Sequence, residues 1–190
     1  MRRYFNRIWF ICFYILYGWR FKSLAFKSML YPSVRTEGQK YISIADRSVI
    51  QRGGWLLALK LGDVSPDLQI GKNCAIGDYS HIVAVQSVVI EDNVLIANKV
   101  YISDNIHTFA DVSKPVINQD VQFKKAVRIK EGAWLGENVC VIGASIGKNA
   151  VVGANSVVTS DIPDFSVAVG SPAKVIKKYD FETGIWVSVG

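Results

Sequence analysis

From residue 70 onward an aliphatic side chain recurs at every sixth position, and no other feature limits the possible folds as much. The series runs Ile70, Ile76, Ile82 and restarts as Ile90, Ile96, Ile102. After an interruption it resumes as Ile129, Leu135, Val141 and then Ile146, Val152, Val158. The next residue is small in most units (Gly71, Gly77, Ala97, Gly136, Gly147, Gly153). Asparagine stands three places after the aliphatic at Asn73, Asn93, Asn105, Asn138, Asn149 and Asn155. Along a strand, the aliphatic and the residue two before it point to the same side, so both face an interior. Asparagine tolerates a left-handed backbone better than most residues, and glycine removes the side chain where the chain bends. Three six-residue units make a triangular coil of about 18 residues, whose strands pair in parallel with those of the next coil. No helical period competes. The expected fold is all-β, a parallel β-helix.

The 190 residues are enough for one domain with a buried core. Cys12, Cys74 and Cys140 show no paired spacing, which argues against a disulfide framework or a cysteine zinc site and points to a reducing compartment. The net charge of +6 comes wholly from residues 1–30, where Arg2, Arg3, Arg7, Arg20, Lys22 and Lys27 stand with no Asp or Glu. A basic, aromatic head on a neutral body is not a nucleic-acid stripe. Within the head, Ile8 to Trp19 is uncharged but too short to span a bilayer, and no small-residue cleavage site follows it. Two placements stay open. In one, the segment lies as a helix on an acidic membrane surface; in the other, it packs on the body or on a neighbouring subunit.

The units Ile76-Gly77-Asp78, Ile146-Gly147-Lys148-Asn149-Ala150-Val151 and Val152-Gly153-Ala154-Asn155-Ser156-Val157 resemble the hexapeptide-repeat acyltransferases over roughly residues 40–180. The resemblance implies a left-handed coil, against the usual right-handed crossover rule. It is closest to the O-acetyltransferases of sugars and surface polysaccharides, among them the galactoside and maltose enzymes. On this reading residues 1–36 form a basic aromatic segment, 37–165 the β-helix with an excursion at about 103–128, and 166–190 a tail completing the donor site.

The excursion begins Ser103-Asp104-Asn105-Ile106-His107-Thr108, and long loops in compact domains are usually functional or disordered. His107 matches the family's catalytic base, which would take the proton of an attacking sugar hydroxyl. His81 precedes Ile82, so alternation turns it outward, either to hold the acceptor or to stack at an interface. Asp78 and Asn105 are expected beside it on the acceptor's side. The sugar-binding asparagine of the galactoside enzymes aligns with Gly77, a departure that bears on acceptor identity. For acetyl-CoA the resemblance implies Trp134 and Gly136 along the pantetheine arm. Ala154, Thr159 and Ser160 match positions near the pantetheine and adenine, and Lys174 and Lys177 match residues facing the phosphates. No GxSxG elbow is present, so direct transfer is expected. The resemblance further implies a homotrimer with sites between neighbours, a cytoplasmic location and no metal. Two histidines cannot make the three-histidine zinc site of a β-helical carbonic anhydrase. The alternatives are an N-acetyltransferase of a nucleotide-linked amino sugar and a non-enzymatic β-helix scaffold.

Overall fold

The computed structural model describes residues 2–189, with side chains placed from Phe5 onward; the side chains of Arg2 and Arg3 lie outside the described residues. Three parallel sheets wrap one core, and successive strands visit them in turn. The first face holds Ser23–Leu24, Ile42–Ile44, Asp67–Ile70, Ser87–Ile90 and Val127–Ile129. The second holds Met29–Leu30, Val49–Ile50, Ala75–Ile76, Leu95–Ile96, Trp134–Leu135, Val151–Val152 and Ser166–Gly170. The third holds Arg35–Glu37, Trp55–Ala58, His81–Ala84, Tyr101–Ser103, Cys140–Ile142 and Val157–Val158. This is the expected three-sided parallel β-helix.

Register explains the six-residue period. Ile50, Ile76, Ile96, Leu135, Val152 and Ala168 are successive partners on the second face. Leu56, Ile82, Ile102, Val141 and Val158 form the equivalent column on the third. All of these side chains are buried. At the corners Asn73, Asn93, Asn138, Asn149 and Asn155 adopt positive φ as expected. Asn105 does not, because it lies in a strand, Asn105–His107. Corner glycines serve a different purpose from the expected bend. A Cβ on Gly77 would stand 2.5 Å from the carbonyl carbon of Ala97 in the next coil. No side chain fits there unless the neighbouring coil shifts.

The expected boundary at residue 37 moves. The first coil begins at Ser23, and Leu24 and Leu30 pair with Ile44 and Ile50. Two insertions hide this coil from a six-residue count: the turn Gln39–Tyr41 and the loop 59–66. The helical part is therefore α1, Arg2–Tyr17, followed by a short 3₁₀ turn, Gly18–Arg20. α1 covers the end of the coil: Phe10 is fully buried with Phe21, Leu24 and Leu30, and Phe13 and Tyr14 pack against that cluster. Arg7 donates to the carbonyls of Ser28 (3.0 Å) and Phe26 (3.1 Å). Among the described residues no helix is long and apolar enough to cross a membrane. Past the last coil, Ala173–Asp180 and Ile185–Ser188 extend the second face in antiparallel fashion.

Neighbouring side chains should differ sharply in cost. Ile96→Ala, in a buried column, is expected to lose about 2–5 kcal/mol. Leu95→Ala, half exposed on the same strand, should stay within about 0.5 kcal/mol. Urea midpoints of the two variants measure the contrast.

Candidate functional site

The turn from Ile82 to Ile90 is eight residues long, two more than the period. Its backbone N–H groups at Val85, Gln86 and Ser87 all donate to one carboxylate, the fully buried Asp104, at 2.9, 2.8 and 2.8 Å. The side-chain amide of Asn105 donates to the same group at 3.0 Å. The Asp104 carbonyl in turn accepts the N–H of Lys124 at 2.8 Å. These bonds close the base of an antiparallel hairpin, Asn105–His107 against Val121–Phe123. Lys124 Nζ donates to the Ile142 carbonyl (3.0 Å), and Lys125 pairs with Asp161 (2.7 Å). The excursion is thus tied to the coil at both feet.

The hairpin overhangs the third face and encloses a cleft of about 340 Å³. Trp55, Leu57, Leu59, Val83, Tyr101, Ile106, Val121 and Ile142 wall it, and its polar side chains are His81, Asn105 and His107. Three of the four expected acceptor-side and catalytic residues are therefore brought together, with His107 exposed at the rim. Asp78 is not among them. It sits at a corner between the second and third faces, and its Oδ1 accepts the N–H of Arg52 at 2.8 Å.

His81 stacks flat on Trp55 with centroids 4.1 Å apart, and Tyr101 flanks it at 5.4 Å. Arg35 covers the Trp55 ring at 4.3 Å, and Glu37 accepts the indole N–H at 3.1 Å. Burial, aided by the Arg35 charge, pushes the imidazole below its ordinary value of 6.5, with Glu37 opposing. Its Nε2 is buried and has no hydrogen-bond partner. His81 thus stacks within its own chain while also lining the cleft.

The donor-side residues fall on two edges of the prism. Trp134 is exposed on the second face, and Gly136 and Ala154 follow at its corner with the third. A Cβ on Gly136 would meet the Ala154 nitrogen at 2.6 Å. Lys174 and Lys177 are exposed on the antiparallel extension of that same face. Thr159 and Ser160 lie on the opposite edge of the third face, exposed, next to the hairpin's root. The width of the third face separates the two groups. Among the described residues no cluster of three or more His, Cys, Asp or Glu could hold a metal ion.

Asp104, Trp55 and Tyr101 were missed from sequence. Asp104 had a signal, since an over-long turn leaves surplus N–H groups that must find an acceptor. The ladder Trp55–His81–Tyr101 had none, because its members are 26 and 20 residues apart and meet only through coil register.

Asp104→Ala should cost about 3–5 kcal/mol by stranding three backbone donors, read as a lower urea midpoint. His81 predicts a pH dependence. Below pH 6.5 the unfolded chain binds a proton on this imidazole that the folded chain resists, so stability falls as pH drops. His81→Phe should flatten that slope below pH 6.5. Asp161 and Asp164, held below the usual carboxylate range by Lys125 and Lys130, act at lower pH.

Residues 68–104 and 126–160 match the model of the hexapeptide repeat of succinyl-transferase; the excursion fills the gap. WbbJ of Escherichia coli (strain K12), described as "Putative lipopolysaccharide biosynthesis O-acetyl transferase", is 46% identical over 121 residues, covering 60% of this chain and 62% of that protein. A galactoside acetyltransferase solved with coenzyme A has a TM-score of 0.60 and 27% identity over 82% of this chain and 64% of that one. A variant of AntD, an N-acyltransferase from Bacillus cereus solved with dTDP-4-amino-4,6-dideoxyglucose and coenzyme A, has a TM-score of 0.73 over 89% of this chain and 90% of that one. At 19% identity it speaks for the fold alone. The chain spans 57% to 62% of the length of WbbJ, of a probable acetyltransferase of Mycobacterium tuberculosis and of a galactoside O-acetyltransferase of Lactococcus lactis, and less of other curated relatives. Its six-residue period, its three-faced coil and these matches make the chain similar to the hexapeptide-repeat acyltransferases.

Proposed function

We propose that the chain is an acetyl-CoA-dependent O-acetyltransferase acting on a sugar hydroxyl in bacterial surface-polysaccharide assembly. On this reading it is a left-handed coil that works as a homotrimer on the cytoplasmic side of the membrane, with the segment 1–30 in peripheral contact. The observation that carries the reading is the hairpin rooted on Asp104, which holds His107 at the rim of an apolar-walled cleft. His107 takes the proton of the acceptor hydroxyl as its oxygen attacks the thioester carbonyl. The C–S bond then breaks, and the departing CoA thiolate recovers a proton.

Direct transfer fits the cysteines. Cys74 is buried in the core, and burial raises its thiol pKa, the reverse of what a nucleophilic thiolate needs. Asn105 lines the cleft with its amide N–H already committed to Asp104, so its remaining bonding capacity faces the acceptor. Trp134, Gly136, Ala154, Lys174 and Lys177 would hold one stretch of the donor, and Thr159 and Ser160 another. Their placement on separate edges of one prism supports a donor groove completed by a second copy, as in a closed ring.

The 46% identity to WbbJ supports a hydroxyl acceptor. An amine on a nucleotide-linked sugar would use the same base and donor, and a thiol-release screen over both acceptor classes separates the readings.

The test begins with titration calorimetry of acetyl-CoA, since it needs no acceptor. Saturable binding is expected, weakened by the Lys174→Ala/Lys177→Ala double substitution. With an accepted sugar, His107→Ala should lower kcat by about 10²–10⁴-fold while leaving acetyl-CoA affinity unchanged. Unaltered turnover in that variant removes His107 from the mechanism. Absence of donor binding by folded, assembled protein leaves the scaffold reading.

A further inference from the structure

α1 is apolar on two faces, and only one of them has a partner. Phe10, Phe13 and Tyr14 pack onto the coil. On the other side Phe5, Ile8, Cys12 and Ile15 recur at intervals of three and four, which places them in one stripe along the helix, and Trp19 follows in the 3₁₀ turn at its end. Leu16 widens it. Phe5, Ile8, Ile15 and Leu16 are 61–69% exposed and Trp19 is 79% exposed, and contiguous exposed apolar surface of this kind marks a contact site.

We infer that this stripe of α1 seats in the headgroup region of an anionic lipid surface, with the helix lying in the plane of the interface. Charge selects the occupant. Residues 1–30 hold six basic side chains and no acidic one; Arg20 and Lys27 are exposed around the end of the helix, while Lys22 is paired with Asp67 at 2.8 Å. A second copy docked stripe to stripe would bring two such basic ends together, whereas anionic headgroups neutralise them. A self-contact through one helix face also falls short of the roughly 20–30 residues a side of a stable protein interface. The end of the stripe has the make-up of a water–lipid boundary. Trp19 gives its indole N–H to the Leu16 carbonyl (3.0 Å) and exposes its ring, and the Arg20 guanidinium lies within 6.0 Å of the Tyr17 and Trp19 ring centres. Arg20 also lines an aromatic cleft of about 280 Å³ between Trp9, Phe13, Tyr17 and Phe21, room beside the stripe for part of a lipid. At 16 residues, α1 lies on a bilayer rather than through it.

This inference extends the peripheral-membrane part of the proposed function and is independent of its chemistry, so acetyl-CoA binding measured on the same samples separates the two failures. The experiment is co-sedimentation of the full chain with vesicles of phosphatidylcholine, alone or mixed with phosphatidylglycerol. The expected result is retention on the mixed vesicles, weakened by salt, and lowered about tenfold or more by Ile8→Glu with Ile15→Glu. Circular dichroism checks folding of that variant, and Ile8→Ser with Ile15→Ser replaces it if the charged pair unfolds. Full-length protein that stays with the supernatant overturns the inference, as does equal retention of the folded variant. A stripe variant whose sedimentation shows a smaller assembly, with no vesicle binding by either form, assigns the face to a second copy and overturns it too.

Discussion

Everything in this molecule hangs on stacking in register. Each aliphatic side chain sits directly over its counterpart one coil away, and the parallel backbone ladders hold that alignment along all three faces. Parallel ladders carry their hydrogen bonds evenly, so a column of Ile, Leu and Val closes without gaps wherever the rise per coil is constant. Constant rise in turn demands tight corners. That is why the glycine at position 77 is fixed by the backbone of the coil above, while the neighbouring turn positions Asn73 and Asn93 adopt positive φ. The core and the corners are one constraint seen from inside and outside.

A fold so regular offers little concavity of its own. Its flat faces become a site only where the period is violated, and the two violations on this side of the prism are coupled. The over-long turn after Ile82 needs an acceptor for its N–H groups, and the chain supplies one by diverting at Asp104. The diversion throws out the hairpin that overhangs the face and carries His107. A buried carboxylate costs free energy unless its partners are all in place; here four donors satisfy it. The position of the candidate base is thereby locked to the register of the coils beneath.

Much of this was legible in the residues. The period from Ile70 to Val158 announced a three-sided coil, and the break after Ile102 marked where it would open. Ser23 to Glu37 went unread as a coil because the turn Gln39–Tyr41 and the loop 59–66 carry the count off by a few residues, and a strict six-residue period cannot survive an insertion. Asp78, expected on the acceptor's side, is instead a corner carboxylate that accepts the Arg52 N–H of the neighbouring coil. His81 was placed facing outward correctly, yet its parallel stack on Trp55 and its enclosed Nε2 depend on a neighbour 26 residues earlier.

The division follows from the range of the forces. Fold class, the number of faces, the corner conformations and the root of the excursion were determined by the sequence alone, since each depends on spacing within one or two six-residue units, where side-chain alternation and turn chemistry act. Tertiary structure alone decided which side chains share the cleft, which carboxylate anchors the hairpin, and that the donor-side residues divide between two edges. Those outcomes depend on contacts between coils some twenty residues apart, and insertions of unequal length set which residues meet across that gap.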